Sequence, residues 1–408
     1  MVKKSTKKIE KKKDTKETKV LKKHELKLPK VAVIGVGGSG KNVTNYMIKK
    51  DVKGVKFIAI NTDLQDLNQS KAQKKIYIGK NLTQGTGTGM DPEIGKKAAM
   101  ESKEEIANAL KDVQMIFLAG GFGGGTGTGA TPVISSIAKD LGILTIAIVT
   151  KPFSFEGQQR KKLAEKGLRE LEQNIDAYIT IENDRILETA KEDAGLEEAF
   201  ALSDEVLRQA VEGISELITK PGKINIDYSD IKKVLKESGL SLIGIGVASG
   251  KERAKNAAEA SINSPLINLS TDGARSILFS ISAPDEIKMN EISEIAKIIT
   301  EKSHPDAMIK FGTSKNTKLK KGALKVTVVA SNFNEFEKPE ITEIESFGIK
   351  IKEEIEEPKD FETKEEIDNK FKFLEEKKKK RKIEDKTEKE KEDESLWVSL
   401  FKLIKRKK

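Results

Sequence analysis

The stretch Met115-Ile-Phe-Leu-Ala-Gly-Gly-Phe-Gly-Gly-Gly-Thr-Gly-Thr-Gly129 decides how this chain folds. An apolar run gives way at once to a backbone almost bare of side chains. Glycines take positive φ and bring main-chain N–H groups within hydrogen-bonding distance of an anion such as a phosphate, and the hydroxyls of Thr126 and Thr128 add polar contacts. The residues that follow, Ala130 to Asp140, read as a helix whose N-terminus faces the same anion. A flexible linker also accounts for a glycine run seen alone. The buried-strand pattern before it and the helical pattern after it argue against that.

Working outward, short apolar runs alternate with amphipathic stretches: Val31 to Val36, Lys56 to Ile60, Lys75 to Ile78, Met115 to Leu118, Leu144 to Val149 and Ala177 to Ile181. That rhythm predicts an α/β fold with a mostly parallel sheet flanked by helices. Leu196 to Thr219 predicts one long helix, with Leu196, Phe200, Leu207, Val211, Ile214 and Ile218 along a face, closed by Pro221-Gly222. Beyond it, strands at 242–247, 277–282, 307–311 and 324–330 and a helix over 250–262 predict a smaller α/β domain. The expected division is a Lys-rich arm over 1–30, a first domain over 31–220 that includes the long helix 196–219, a second domain over 221–333, a charged linker over 334–394 and a terminal peptide over 395–408. The linker reads either as a solvated single helix or as a disordered tether.

Charge is unevenly distributed. Of the overall +10, residues 1–30 carry +9 and residues 358–408 carry +4, which leaves the middle mildly acidic at −3. A basic face with aromatics to stack bases is therefore not expected on the folded part, and no specific nucleic acid is predicted as a partner. The chain has no cysteine and two histidines, so thiol nucleophiles, disulfides and thiolate metal sites are excluded. No apolar stretch reaches membrane-spanning length, and the expected location is the cytoplasm.

The first strand runs into Gly35-Val-Gly-Gly-Ser-Gly-Lys-Asn42. This fits the dinucleotide fingerprint G-x-G-x-x-G at Gly35, Gly37 and Gly40, and nearly fits the P-loop, where Asn42 stands in place of Ser or Thr. A third glycine-rich segment, Gly85-Thr-Gly-Thr-Gly89, follows a later strand. Three such loops at strand ends predict one polyphosphate held on several sides.

Together these loops resemble the FtsZ branch of the tubulin superfamily. The resemblance rests on Val33-Ile-Gly-Val-Gly-Gly, Ala59-Ile-Asn-Thr-Asp63, Phe122-Gly-Gly-Gly-Thr-Gly-Thr-Gly-Ala130, Val149-Thr-Lys-Pro-Phe-Ser-Phe-Glu-Gly157, Pro221-Gly-Lys-Ile-Asn-Ile-Asp-Tyr-Ser-Asp230 and Gly273-Ala-Arg275. It covers about Val31 to Phe333. It implies a Rossmann-like GTP-binding domain, a long central helix, a smaller C-terminal domain and head-to-tail polymerisation into the protofilaments of a cell-division ring. Implied ligands are GTP or GDP with Mg2+.

Residue by residue, the resemblance places Gly37, Gly38, Ser39, Gly40, Lys41 and Asn42 at the nucleotide phosphates, with Gly125, Thr126 and Gly127 across from them. Glu156 and Arg160 match the ribose positions. Asn183, Phe200 and Asp204 match the base positions, where a carboxylate accepting from guanine N–H groups discriminates against adenine. The hydrolytic residues are implied to be Asn225, Asp227 and Asp230, in a loop on the face opposite the pocket, so that a neighbouring subunit completes the site. Asp230 also reads as the N-cap of a helix starting near Ile231. Ser39 and Lys41 stand where the family usually has glycine, and Lys41 is expected to add a cation near the phosphates. Glu205 replaces the second aspartate of the usual base-site pair.

The tail 392–408 keeps the acidic-apolar-basic order of the family's docking peptide. It also has the pattern of an interfacial helix, with Trp397, Leu400, Phe401 and Ile404 on one side and five terminal cations. It is expected to reach the inner face of the membrane at the division site, directly or through a tether or regulator protein. Two other readings remain open at this point: a tubulin-like filament for DNA segregation or cell shape, and a nucleotide-dependent oxidoreductase, which would leave two glycine loops and the Asn225 to Asp230 segment without a task.

Overall fold

A computed structural model describes residues 29–189, 195–219, 222–263 and 273–333. The Lys-rich arm up to residue 28, the charged linker and the terminal peptide lie outside these residues.

Seven parallel strands form the first sheet in the order β3-β2-β1-β4-β5-β6-β7. They are β1 (Val31–Val36), β2 (Val55–Asn61), β3 (Lys74–Tyr77), β4 (Met115–Gly121), β5 (Leu144–Lys151), β6 (Ala177–Glu182) and β7 (Gly239–Leu240). Between them run α1 (Gly37–Lys49), α2 (Leu64–Asn68), α3 (Lys80–Thr83), α4 (Pro92–Glu101), α5 (Lys103–Leu110), α6 (Thr126–Asp140), α7 (Gln158–Glu172), α8 (Asn183–Thr189), α9 (Leu196–Thr219) and α10 (Tyr228–Leu235). The strands are apolar on both faces because helices cover both. Val31, Val33, Met115 and Phe117 join one buried cluster, while Ala32, Ile34, Ile116 and Leu118 join the other.

β1 is the pivot of the sheet. It pairs in parallel with β2 on one side and β4 on the other, with Val31 opposite both Val55 and Met115. The winding direction reverses there, which opens a crevice beyond the carboxyl ends of β1 and β4.

The second sheet, ordered β10-β9-β11-β8, contains β8 (Leu242–Ser249), β9 (Ala274–Ala283), β10 (Met308–Lys315) and β11 (Ala323–Phe333). β9 and β10 are parallel, and β11 runs antiparallel to β9 and β8. The helices α11 (Arg253–Ile262) and α12 (Met289–Thr300) cover its outer face. The long helix α9 separates the two sheets. Its Leu207, Val211 and Ile214 are buried in a cluster that includes Leu278 and Val329 of the second sheet. Gly213 lets the helix approach closely, since a Cβ there would stand 3.0 Å from the Thr327 side chain.

Three features depart from the sequence reading. The helix expected from Ala130 starts at Thr126, inside the glycine run. The helix expected near Ile231 starts at Tyr228, so Asp227 is its N-cap and Asp230 sits three residues on. Phe200, placed on the apolar face of α9, is 43% exposed.

Candidate nucleotide site

An open cleft of about 300 Å³ lies at the crevice where the winding reverses. Its floor is the start of α1 (Gly37, Gly38 and Ser39) and the start of α6 (Gly124 to Gly127). Neither helix has a side-chain cap, and neither carries an acidic residue in its first turn. The first N–H groups of both helices are therefore left for a ligand, and both dipoles favour an anion there. Gly37 holds φ +73°, and a Cβ there would stand 3.2 Å from the Gly127 nitrogen, so the two starts lie close together. At Gly124 a Cβ would meet nothing within 4 Å, because that glycine faces the open cleft.

Gly125 and Gly127 line the floor as well, but there and at Gly129 close packing is what excludes a side chain. A Cβ on Gly125 would collide with Thr88, one on Gly127 with the Gly121 carbonyl, and one on Gly129 with the Pro92 carbonyl of α4. Thr128 is turned inward and accepts from the Gly123 N–H at 2.9 Å, so only one of the two threonine hydroxyls faces other hydroxyls near the cleft. That one, Thr126 Oγ1, lies 2.7 Å from Thr62 Oγ1 and 3.5 Å from Thr88 Oγ1. Thr88 is what the Gly85 to Gly89 loop contributes to the lining.

Along the wall, Glu156 accepts from the Phe153 N–H at 2.9 Å and from Arg160 Nη1 at 2.5 Å. Arg160, Thr150 and Pro152 complete that side. At the mouth, Phe200 lines the cleft and meets Phe153 in a T-shaped contact with ring centres 5.2 Å apart. Asn183 is buried and accepts from the Ser203 hydroxyl at 3.0 Å.

Asp204 lies one helical turn beyond Phe200 on α9, on the same side of the helix but outside the residues that line the cleft. It makes no hydrogen bond or ion pair among the described residues, and burial pushes its carboxyl up to about 7. A desolvated acceptor with no donor is suited to a ligand that brings N–H groups. Its neighbour Glu205 is spent elsewhere. Burial alone would raise its carboxyl, but hydrogen bonds from Arg208, Gln209 and Tyr46 hold it at about 2.

Three residues expected at the phosphates stand apart from the lining. Lys41 is 7% exposed, and its ammonium donates to Asp66 Oδ1 at 2.6 Å, behind the floor. Asp66 in turn accepts from Asn61 at 2.8 Å, so the lysine's charge is matched inside the protein. Gly40 is a packing glycine, whose Cβ would strike the Ala119 carbonyl and Gly35. Asn42 is exposed on α1 but is not part of the cleft wall. Gly121, Phe122, Thr150 and Pro152 also line the cleft, although the sequence reading assigned them no contact.

The segment Asn225 to Asp230 is nowhere near this cleft. Tyr228 donates through its hydroxyl to the Gln114 carbonyl, at 2.7 Å, immediately before β4 begins. The cleft residue Gly121 ends the same strand, and seven residues of parallel strand span roughly 20 Å. The two sets of groups therefore sit at opposite ends of the sheet. Asp227 and Asp230 form a reciprocal cap, with Asp230 N–H to Asp227 Oδ1 at 2.7 Å and Asp227 N–H to Asp230 Oδ2 at 3.4 Å.

Residues 30–191 match the tubulin/FtsZ family GTPase domain, and residues 239–334 match the FtsZ family C-terminal domain. An FtsZ dimer structure from M. jannaschii is 40% identical over 78% of this chain and 92% of that one, with a TM-score of 0.72. The chain belongs to the FtsZ family. A tryptophan-to-tyrosine mutant of the M. jannaschii FtsZ matches at 40% identity, over 78% of this chain and 95% of that one, with a TM-score of 0.71. CetZ2 from Haloferax volcanii shares the fold at 22% identity, over 74% of this chain and 92% of that one, with a TM-score of 0.63. Membership of this GTPase family implies guanine-nucleotide binding and GTPase activity, and the oxidoreductase reading falls.

Proposed function

We propose that this FtsZ-family GTPase polymerises head to tail, and that each bound GTP is cut with the help of Asn225, Asp227 and Asp230 from the next subunit. The observation that carries the reading is the separation of an anion cradle and a pair of carboxylates to opposite ends of one sheet. Within a single subunit the aspartates cannot orient a water at the γ-phosphate. A copy stacked in the same direction brings one subunit's acid end against the next one's cleft, which is the heterologous contact that makes filaments.

Exposed apolar side chains support such a contact. Leu64, Leu82, Met90 and Phe155 are exposed on the short helices and turns that follow β2, β3 and β5, and Ile224 is exposed just before the acid loop. In the completed site the α1 and α6 N–H groups hold the phosphates, Asp204 accepts from guanine, and Asp227 orients the attacking water. The substrate is the Mg2+ complex of GTP. The ion arrives with the nucleotide.

The filament is proposed to form the division ring at the inner face of the membrane, with the terminal peptide reaching lipid directly or through a tether. No described helix is long and apolar enough to cross a membrane. Turnover per subunit measured against protein concentration tests the assembly reading. It should rise from near zero to a plateau, and a rate independent of concentration would contradict it. Fluorescent tagging in dividing cells distinguishes a division ring from a filament serving cell shape or DNA segregation.

A further inference from the structure

The acid loop is fastened to the second sheet, not only to the helix it precedes. Thr313 N–H donates to the Ile224 carbonyl at 2.9 Å, and Ile224 pairs with Thr313 as an extra bridge on the free edge of β10. Ile226 is buried against Gly312, where a Cβ would come within 2.9 Å of the isoleucine side chain. Two residues earlier on the same face of β10 stands Lys310. Its ammonium is 2.9 Å from Asp230 Oδ1.

This arrangement makes the two aspartates unequal. Asp230 is engaged on both oxygens, by Lys310 on one and by the Asp227 N–H on the other. Asp227 is exposed, accepts from the Asp230 N–H through Oδ1, and has no partner for Oδ2 among the described residues. The Lys310 side chain is 42% exposed at the same surface. Two carboxylates pressed against a triphosphate repel it, and a cation held between them offsets part of that repulsion.

We propose that Lys310 is a positioning residue for hydrolysis in the neighbouring subunit: it holds Asp230 so that Asp227 alone orients the water, and it offsets one of the two negative charges that the loop brings to the polyphosphate. This rests on the filament reading above. The lysine acts through Asp230 and through the field at the contact.

The test uses the full chain with Lys310→Met, Lys310→Arg and, as a reference, Asp227→Asn, with GTPase rates measured over a range of GTP, protein and salt concentrations. For Lys310→Met the expected plateau rate is about tenfold lower, at an unchanged KM for GTP. The protein concentration for half-maximal rate rises about threefold to tenfold at low salt, and the difference shrinks in high salt as screening removes the repulsion. Lys310→Arg restores the plateau to within about threefold. Should the Met variant fail to fold, Lys310→Gln reads the same quantities. A wild-type plateau and concentration dependence in Lys310→Met, beside an inactive Asp227→Asn, overturns the role of Lys310 and leaves the filament reading standing. Full turnover in Asp227→Asn overturns both.

Discussion

At the carboxyl end of the first sheet, α1 and α6 begin with no side-chain cap, whereas at the amino end α10 begins inside a reciprocal cap made by Asp227 and Asp230. The uncapped starts leave backbone N–H groups for an anion. The capped start satisfies its own N–H groups and fixes two carboxylates at the surface. One end of the sheet thus has an anion cradle whose two helix starts carry no acid, and the other presents two acids beside no such cradle. A filament that joins the two explains both.

The largest expected effect breaks one end only. Asp227→Ala should lower plateau GTPase activity by about 100-fold or more while leaving GTP affinity of the monomer within about twofold. A parallel loss of affinity in a fluorescent-nucleotide titration would mean that the ends are not separate.

Next, the glycine run itself can be divided. Gly129→Val forces a side chain into the Pro92 carbonyl and should cost about 3 kcal/mol in urea unfolding. Gly124→Ala projects into the open cleft, and should change stability by less than about 0.5 kcal/mol. Equal costs would contradict the split between binding and packing glycines.

Asp204 sharpens the receptor end. Its Asn variant should weaken GTP binding by about 100-fold and reduce discrimination against ATP. In the wild type the carboxyl, near 7 when free, must ionise to accept guanine donors. Affinity should therefore fall as pH drops below 7, approaching tenfold per unit, and flatten above about 8. For the unliganded fold the sign is opposite. The folded state holds its proton up to a higher pH than the unfolded chain does, so this group's contribution to stability declines between about pH 4 and 7. Thermal melts of the wild type and Asp204→Asn across that range check the sign.

Lys41 gives the smallest effect. Removing it with Lys41→Met leaves Asp66 short of a partner and should cost about 1–2 kcal/mol of stability, with GTP affinity changed less than about threefold. A collapse of affinity at unchanged stability would put the ammonium back at the phosphates.

The parallel sheet, the long helix and the smaller second sheet were legible because each is written in local periodicity. The Gly123 to Gly129 run, by its composition, marked a bare turn between a strand and a helix. What the sequence hid is tertiary. Nothing near Lys41 indicates that Asp66, 25 residues later, neutralises it. G-x-G-x-x-G does not say that Gly40 serves contact between α1 and β4 while Gly37 lines the cleft. β7 is two residues long and takes its place only from its partner β6. Lys310 lies in an ordinary strand, and only the fold brings it to Asp230.

The central claim is tested most directly by mixing two inactive variants. Gly124→Leu fills the cleft but keeps the acid loop, and Asp227→Ala keeps the cleft but loses the acid. Combined at equal concentration, they should regain GTPase activity, because a Gly124→Leu subunit can present its acids to the GTP held by an Asp227→Ala subunit. A mixture that co-sediments as filaments yet hydrolyses no faster than the sum of its parts would contradict a site shared between subunits.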